Sequence, residues 1–165
     1  MKKLIIFGLI LLTIAFFYFN IKTKNPQGDN TLPQQYVDDR TNYAKAIQLL
    51  NDAMDLTKTP DNSGKPFDMP KDQESKILTE LDEGIALSKQ IDDNFLDYLS
   101  PELKSHYRNQ YVKGYELILE GLKSDTSNKG SLGVKEQLEG SQLIGEWNKW
   151  WNLNKDQITN KAFPE

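Results

Sequence analysis

Residues 100–124 read SPELKSHYRNQYVKGYELILEGLKS and carry the sharpest helix signal in the chain. Ser100 suits the N-cap, Pro101 suits the first helical position, and Glu102 places an acid near the positive end of the helix dipole. Apolar or small residues then recur every three to four positions. They are Leu103, Tyr107, Tyr111, Tyr115 (or Gly114), Ile118 and Leu122. This spacing predicts an amphipathic helix that ends at the polar residues 124–130.

Three further stretches of the chain show helical spacing. They cover residues 31–57, 69–99 and 132–153. Their apolar positions are Tyr36, Tyr43, Ile47, Leu50 and Met54; Leu78, Leu81, Ile85, Ile91 and Phe95; and Val134, Leu138, Ile144, Trp147 and Trp151. Residues 59–66 separate the first two stretches and are dense in Pro, Gly and Asn, which predicts a loop. Four helices without strand-like alternation predict an all-α fold, an up-down-up-down four-helix bundle.

An apolar run precedes the bundle at the amino terminus. The eighteen residues from Leu4 to Ile21 carry no charge, and as a helix they would extend about 27 Å, close to the hydrocarbon thickness of a bilayer. We therefore expect a transmembrane signal anchor over residues 1–21, with the bulk of the chain on the periplasmic or extracellular side. The alternative is a cleaved signal peptide, but the small-residue pattern it needs occurs only at residues 13–15, inside the apolar run.

The anchor divides the chain into four expected parts. After it come a linker at residues 22–30, a helical bundle domain at 31–155 and a C-terminal tail at 156–165. The whole chain has a net charge of −4, but residues 25–165 hold 16 basic and 24 acidic side chains, a net charge of −8. An acidic surface repels phosphate backbones, so we expect no nucleic-acid partner. The chain has no cysteine, which excludes disulfides and thiolate chemistry.

His106 is the only histidine in the sequence, with Glu102 one helical turn before it and Arg108 close after it. General acid–base catalysis would need a nucleophile and an orienting group, and the motifs G-x-S-x-G and H-E-x-x-H are absent. One histidine also cannot supply the usual ligands of zinc or of a di-iron centre. We therefore expect no enzyme activity and no cofactor, and we interpret His106 as a surface or half-buried side chain.

Residues 125–136, DTSNKGSLGVKE, connect the third and fourth predicted helices. The segment resembles the calcium-binding loop of the EF-hand family. The matching positions are Asp125, Ser127, Gly130, Leu132 and Glu136. The resemblance implies oxygen ligands from Asp125, Ser127 and Glu136. Lys129 departs from the pattern, because its ammonium stands where an oxygen ligand is expected. The other interpretation is a polar connector between two helices.

Aromatic residues concentrate on the third and fourth predicted helices. They are Tyr107, Tyr111, Tyr115, Trp147, Trp150 and Trp151. Three tryptophans so close together cannot all face one seam, so we expect Trp147 and Trp151 to point inward and Trp150 to be partly exposed. Aromatic rings stabilise cores, but Tyr and Trp are also enriched at binding hot spots. The alternative to a core role is an interaction surface formed by Trp150 and the three tyrosines.

Glycines also interrupt the predicted helices, at Gly84, Gly114, Gly121, Gly140 and Gly145. Each lowers helix stability by about 1 kcal/mol relative to alanine. Close approach of neighbouring helices, or room for facing aromatic rings, would offset this loss. A ligand-sized gap beside the aromatic rings is the functional alternative.

These features predict a membrane-anchored, extracytoplasmic helical bundle that is a protein-interaction or structural component of the cell envelope. Its expected partners are the membrane, through residues 4–21, and another protein. The alternative is a small-ligand or ion-binding accessory or sensor domain. An envelope hydrolase built on His106 is the least favoured hypothesis.

Overall fold

The computed structural model describes residues 32–56, 70–126 and 132–164, and within these ranges the chain is all-helical, without a strand. The helices are α1 (Val37–Leu56, after a 3₁₀ turn at Gln34–Tyr36), α2 (Lys71–Gln90), α3 (Asp93–Leu99), α4 (residues 103–126) and α5 (Leu132–Ala162). The predicted all-α class is confirmed. The described ranges hold five helices and not four, because the second predicted helix forms both α2 and α3.

The break between α2 and α3 is stabilised by two aspartates. Ile91 and Asp92 adopt extended backbone conformations, and the Asp92 carboxylate accepts a hydrogen bond from the backbone N–H of Asn94 as the N-cap of α3. The carboxylate of Asp39, in α1, accepts from the backbone N–H of Asp92 at 2.8 Å. An aspartate side chain thus offers the backbone an alternative to helical hydrogen bonds. The apolar spacing continues through this point, so the break was not predicted.

The last helix extends further than its predicted end at Leu153. It continues to Ala162, so most of the predicted tail at residues 156–165 is helical. The physical reason is that apolar spacing persists: Trp151, Ile158 and Ala162 follow one another at seven and four residues, and all three are buried.

The predicted anchor at residues 1–21 and the linker at 22–30 lie outside the described residues. In the part of the chain that the structure does describe, no helix combines the length and the apolar character that crossing a bilayer requires.

The long helices pack against one another in alternating directions. The side-chain amide of Gln73, near the start of α2, donates to the carbonyl of Leu56 at the end of α1. The hydroxyl of Tyr107, near the start of α4, donates to the hydroxyl of Ser88 near the end of α2, at 3.0 Å. Apolar side chains from all five helices then merge into a single core. The result is a helical bundle in which α3 forms a short connection at one end.

The first part of α4 contains an irregularity. An α-helical turn at Leu103–His106 leads into a π-helical segment at Tyr107–Val112, and α-helix resumes at Lys113–Thr126. A π turn takes more residues than an α turn, so residues four apart stay closer to one face. Tyr111 and Val112, both in this segment, are buried.

Arg108, in the π-helical segment, holds the end of α2 and the start of α3 in place. Its guanidinium donates to the carbonyls of Ser88 and Ile91, and its Nε and Nη2 atoms lie 3.0 and 2.9 Å from Asp93 Oδ1. The final carbonyls of a helix lack intrahelical partners, and a basic side chain satisfies them. Arg108 therefore joins three helices at one corner of the bundle.

Replacing Arg108 by alanine is expected to lower the free energy of unfolding by about 2 kcal/mol, because buried carbonyls lose charged donors. Arg108→Lys should restore only part of this loss, since one ammonium cannot reproduce the planar fork of a guanidinium. Chemical denaturation followed by circular dichroism measures both changes. The matched control is Lys149→Ala, an exposed position on α5. If Arg108→Ala were as harmless as Lys149→Ala, the corner would not depend on these bonds.

Candidate interaction surface

Glycines allow α4 and α5 to approach closely. A Cβ placed at Gly121 would lie 2.5 Å from the backbone oxygen of Gly133, and one at Gly140 would lie 2.5 Å from that of Gly114. The two contacts are seven residues apart in both helices, so one antiparallel register runs through them. The interpretation of the glycines as sites of helix–helix approach is confirmed at Gly114, Gly121 and Gly140. It is wrong for Gly145, where nothing lies within 4 Å.

The next seven-residue step in this register brings Tyr107 opposite Trp147. Their ring centroids are 5.9 Å apart in an edge-to-face arrangement. Trp147 also packs against Tyr111 at 5.0 Å and stacks on Trp151 at 5.3 Å. The expected inward positions of Trp147 and Trp151 are confirmed, with exposures of 2% and 4%. The centre of the bundle is therefore filled by interlocking rings.

The three tyrosines of α4 do not form a surface. Tyr107, Tyr111 and Tyr115 are 0%, 5% and 2% exposed, which corrects the proposal that they contribute to an interaction face. All three lie on the buried side of α4, where Tyr107 and Tyr111 contact Trp147 of α5. Their role is to fill the core.

The hydroxyl groups of the buried tyrosines are shielded from water. Tyr43, in α1, lies 5.5 Å from Tyr107 between ring centroids, and its hydroxyl has no hydrogen-bond partner among the described residues. Burial raises the pKa of Tyr43, Tyr107, Tyr111 and Tyr115, because ionisation would place a phenolate in an apolar interior. These side chains therefore remain neutral while the protein is folded.

Alkaline titration is expected to ionise these four tyrosines only as the protein unfolds. An unfolded tyrosine loses its proton near pH 10, whereas the folded ones hold theirs, so the free energy of unfolding should fall as the pH rises above about 10. Ultraviolet absorbance of tyrosinate, recorded together with circular dichroism, tests this. Ionisation of every tyrosine near pH 10 with the helical signal intact would contradict the burial.

Trp150 occupies a different position from its two neighbours, since it is half-buried and so partly exposed, as predicted. Its ring stacks on His106 of α4, with centroids 4.3 Å apart and planes inclined by 18°. Its indole Nε1–H donates to Glu102 Oε2 at 3.2 Å. On its inner side it contacts Trp147 at 5.5 Å. We call the stacked pair of His106 and Trp150 the aromatic platform.

Polar side chains fix the other edge of the aromatic platform. His106 Nδ1 lies 2.9 Å from Gln110 Oε1, and the Gln110 amide nitrogen lies 3.4 Å from Glu146 Oε2. His106, Gln110 and Glu146 thus form a chain of polar contacts along this edge. Glu102 and Glu146 are exposed and stand on either side of the two rings. The platform is thus a partly exposed, hydrogen-bonded aromatic surface between two carboxylates.

Part of the predicted calcium loop lies outside the described residues. The side chain of Asp125 and all of Ser127 lie outside them. Glu136 lies in the first turns of α5, and its buried Oε2 has no hydrogen-bond partner within the described ranges. No group of three His, Asp or Glu side chains arranged to hold a metal occurs in those ranges. His106 is half-buried, as predicted, and its neighbours are an aromatic ring and an amide.

No protein-family model, curated protein or solved structure matches this chain. The site must therefore be interpreted from its own geometry.

The sequence predicts the partial exposure of Trp150 but not its partners. The sequence predicts His106 only as a surface or half-buried side chain, although Glu102, His106 and Gln110 are spaced four apart and so share one face of α4. That spacing was available as a signal. The pairing with Trp150 was not, because it depends on the register that the glycines impose between α4 and α5.

Proposed function

We propose that this protein is a single-pass membrane protein whose helical bundle binds another protein of the cell envelope. In this proposal residues 1–21 form the signal anchor and residues 22–30 the linker. The bundle, whose last helix ends at Ala162, lies outside the cytoplasm. The length of the uncharged run from Leu4 to Ile21 and the lysines that precede it support this part of the proposal.

One observation carries the interaction role. The aromatic platform is held in one orientation by its own hydrogen bonds and by contact with the buried Trp147. A partner would therefore meet a large aromatic surface without having to order flexible side chains, which favours binding. The other tryptophans and the tyrosines of α4 are fully used in the core. Among the tyrosines of α4 and the tryptophans of α5, Trp150 is therefore the residue that can reach a partner.

A membrane wash tests the tether. The protein should remain in the pellet when membranes are extracted with alkaline carbonate, and it should be released by detergent. Protease added to intact cells should degrade the helical bundle. If an outer barrier shields the bundle, protease added to spheroplasts should degrade it. Release by carbonate, with a mature amino terminus near Phe16, would exclude the anchor.

A quantitative pull-down from detergent extract tests the interaction role. Trp150→Ala is expected to lose the specific partner proteins that the unchanged protein captures. Asn152→Ala, at an exposed position on the opposite side of α5, is the matched control and should retain them. Identical partner lists for both variants and the unchanged protein would exclude the platform as the binding surface.

An ion-binding role is the second candidate, and the unpartnered Oε2 of Glu136 favours it. A half-buried carboxylate oxygen without a hydrogen bond is a group that a cation would stabilise. Calorimetry with calcium tests this candidate. Absence of heat at millimolar calcium would exclude it, and Glu136→Gln should abolish any heat observed.

A further inference from the structure

We propose that the partner segment that docks on the aromatic platform is a basic stretch of polypeptide bearing arginine or lysine. This inference rests on the proposed interaction role and specifies the chemistry of the partner. It is drawn from the two carboxylates beside the rings, from the electronic character of the rings themselves, and from the charge of the domain.

The two carboxylates beside the platform differ from the ion-paired acids of the bundle. Several acids on other faces are neutralised by a lysine or arginine. They are Asp82 with Lys123, Asp93 with Arg108, Asp97 with Lys104 and Glu116 with Lys89. Glu102 and Glu146 contact only an indole N–H and an amide, and neither pairs with a basic side chain of the described residues. Their negative charge is therefore left for an external cation.

The ring faces between these carboxylates attract the same kind of group. A cation positioned over a tryptophan face is stabilised by the quadrupole of the ring, and a guanidinium can also lie flat on it. The bundle already contains such a contact, because Lys161 Nζ lies 4.3 Å from the ring centroid of Tyr98. A basic side chain packed against the exposed part of the His106–Trp150 pair would have Glu102 or Glu146 within reach for a charge-assisted hydrogen bond.

Long-range electrostatics favours the same partner. Residues 25–165 carry a net charge of −8, so a basic segment is attracted to the domain before contact and an acidic one is repelled. The platform then selects where that segment binds. Changing charges at the platform should therefore weaken binding more than changing the same number of charges elsewhere on the surface.

The test measures binding of a hexa-arginine peptide to the full chain in detergent micelles, by calorimetry and by tryptophan fluorescence. Glu102→Gln with Glu146→Gln is the informative double variant. Glu83→Gln with Glu120→Gln, at exposed positions on α2 and on the far half of α4, changes the net charge equally and is the matched control. All four substitutions lie at the surface, so the fold should be retained.

The platform variant is expected to weaken peptide binding about tenfold, and the control variant by less than about twofold. The fluorescence change should be lost in Trp150→Phe, and a hexaglutamate peptide should not bind. Equal weakening by both double variants, or binding of hexaglutamate, would overturn the basic-partner inference. A captured partner that needs Trp150 but is unaffected by the Glu102 and Glu146 changes would also overturn it, while the proposed interaction role would stand.

Discussion

Replacing Trp147 by alanine is expected to lower the free energy of unfolding by about 3–5 kcal/mol. The side chain is 2% exposed and contacts the rings of Tyr107, Tyr111, Trp150 and Trp151. Removing it opens a cavity in the middle of the core, and the rings around it lose both dispersion contacts and their fixed orientation. Chemical denaturation monitored by circular dichroism measures the loss.

The control for this change is Leu153→Ala on the same helix, because Leu153 is 86% exposed and should shift stability by less than about 0.5 kcal/mol. Trp147→Phe should fall between the two. A loss of under about 1 kcal/mol for Trp147→Ala would mean that the centre of the bundle is not filled. An interior cleft would then become a better candidate for the functional site than the surface.

The double change Gly121→Ala with Gly140→Ala is expected to destabilise the protein by roughly 4 kcal/mol. Each new Cβ would meet a backbone oxygen at 2.5 Å, so α4 and α5 must separate. Overpacking of this kind costs about 1–3 kcal/mol per site and occasionally more, which exceeds the gain of about 1 kcal/mol in helix propensity. A backbone oxygen cannot rotate away from the new Cβ as a side chain can, so we expect an overpacking cost of about 3 kcal/mol at each site. Subtracting the gain in helix propensity leaves a net loss of about 2 kcal/mol per site.

Gly145→Ala, in α5, is expected to stabilise the protein. Nothing lies within 4 Å of a Cβ at Gly145, so only the propensity term remains and the protein should gain about 1 kcal/mol. Thermal unfolding of the three proteins should order them with Gly145→Ala highest and the double variant lowest. The reverse order would mean that the α4–α5 register is wrong, and with it the pairing of His106 and Trp150.

Much of the helical content could be predicted from sequence because apolar spacing and turn signals are local. The inward positions of Trp147 and Trp151 are of this kind, whereas α4 begins at Leu103, three residues after the predicted N-cap Ser100. The division of the second predicted helix was missed, because its stabilising contact comes from Asp39, more than fifty residues earlier in the chain. The π-helical segment was missed as well, since the four-residue recurrence of tyrosines also fits an ordinary helix.

The candidate site could be predicted only in part for a related reason. Partial exposure of Trp150 followed from crowding within one helix, which a sequence displays directly. Its stacking on His106 depends on how α4 and α5 align, and that alignment is set by contacts such as Gly114 with Gly140. The glycines were recognised as sites of close approach, but which glycine meets which cannot be deduced from either helix alone.

A photo-reactive residue at position 153, which is 86% exposed and one helical turn from the intact Trp150, tests the central claim most directly, namely that the protein acts through the aromatic platform. Illuminated membranes should yield a covalent adduct between the protein and one partner polypeptide, with the crosslink at or next to a basic segment of that partner. The same residue at position 152 should yield none. No adduct from either position, or the same adducts from both, would contradict the claim.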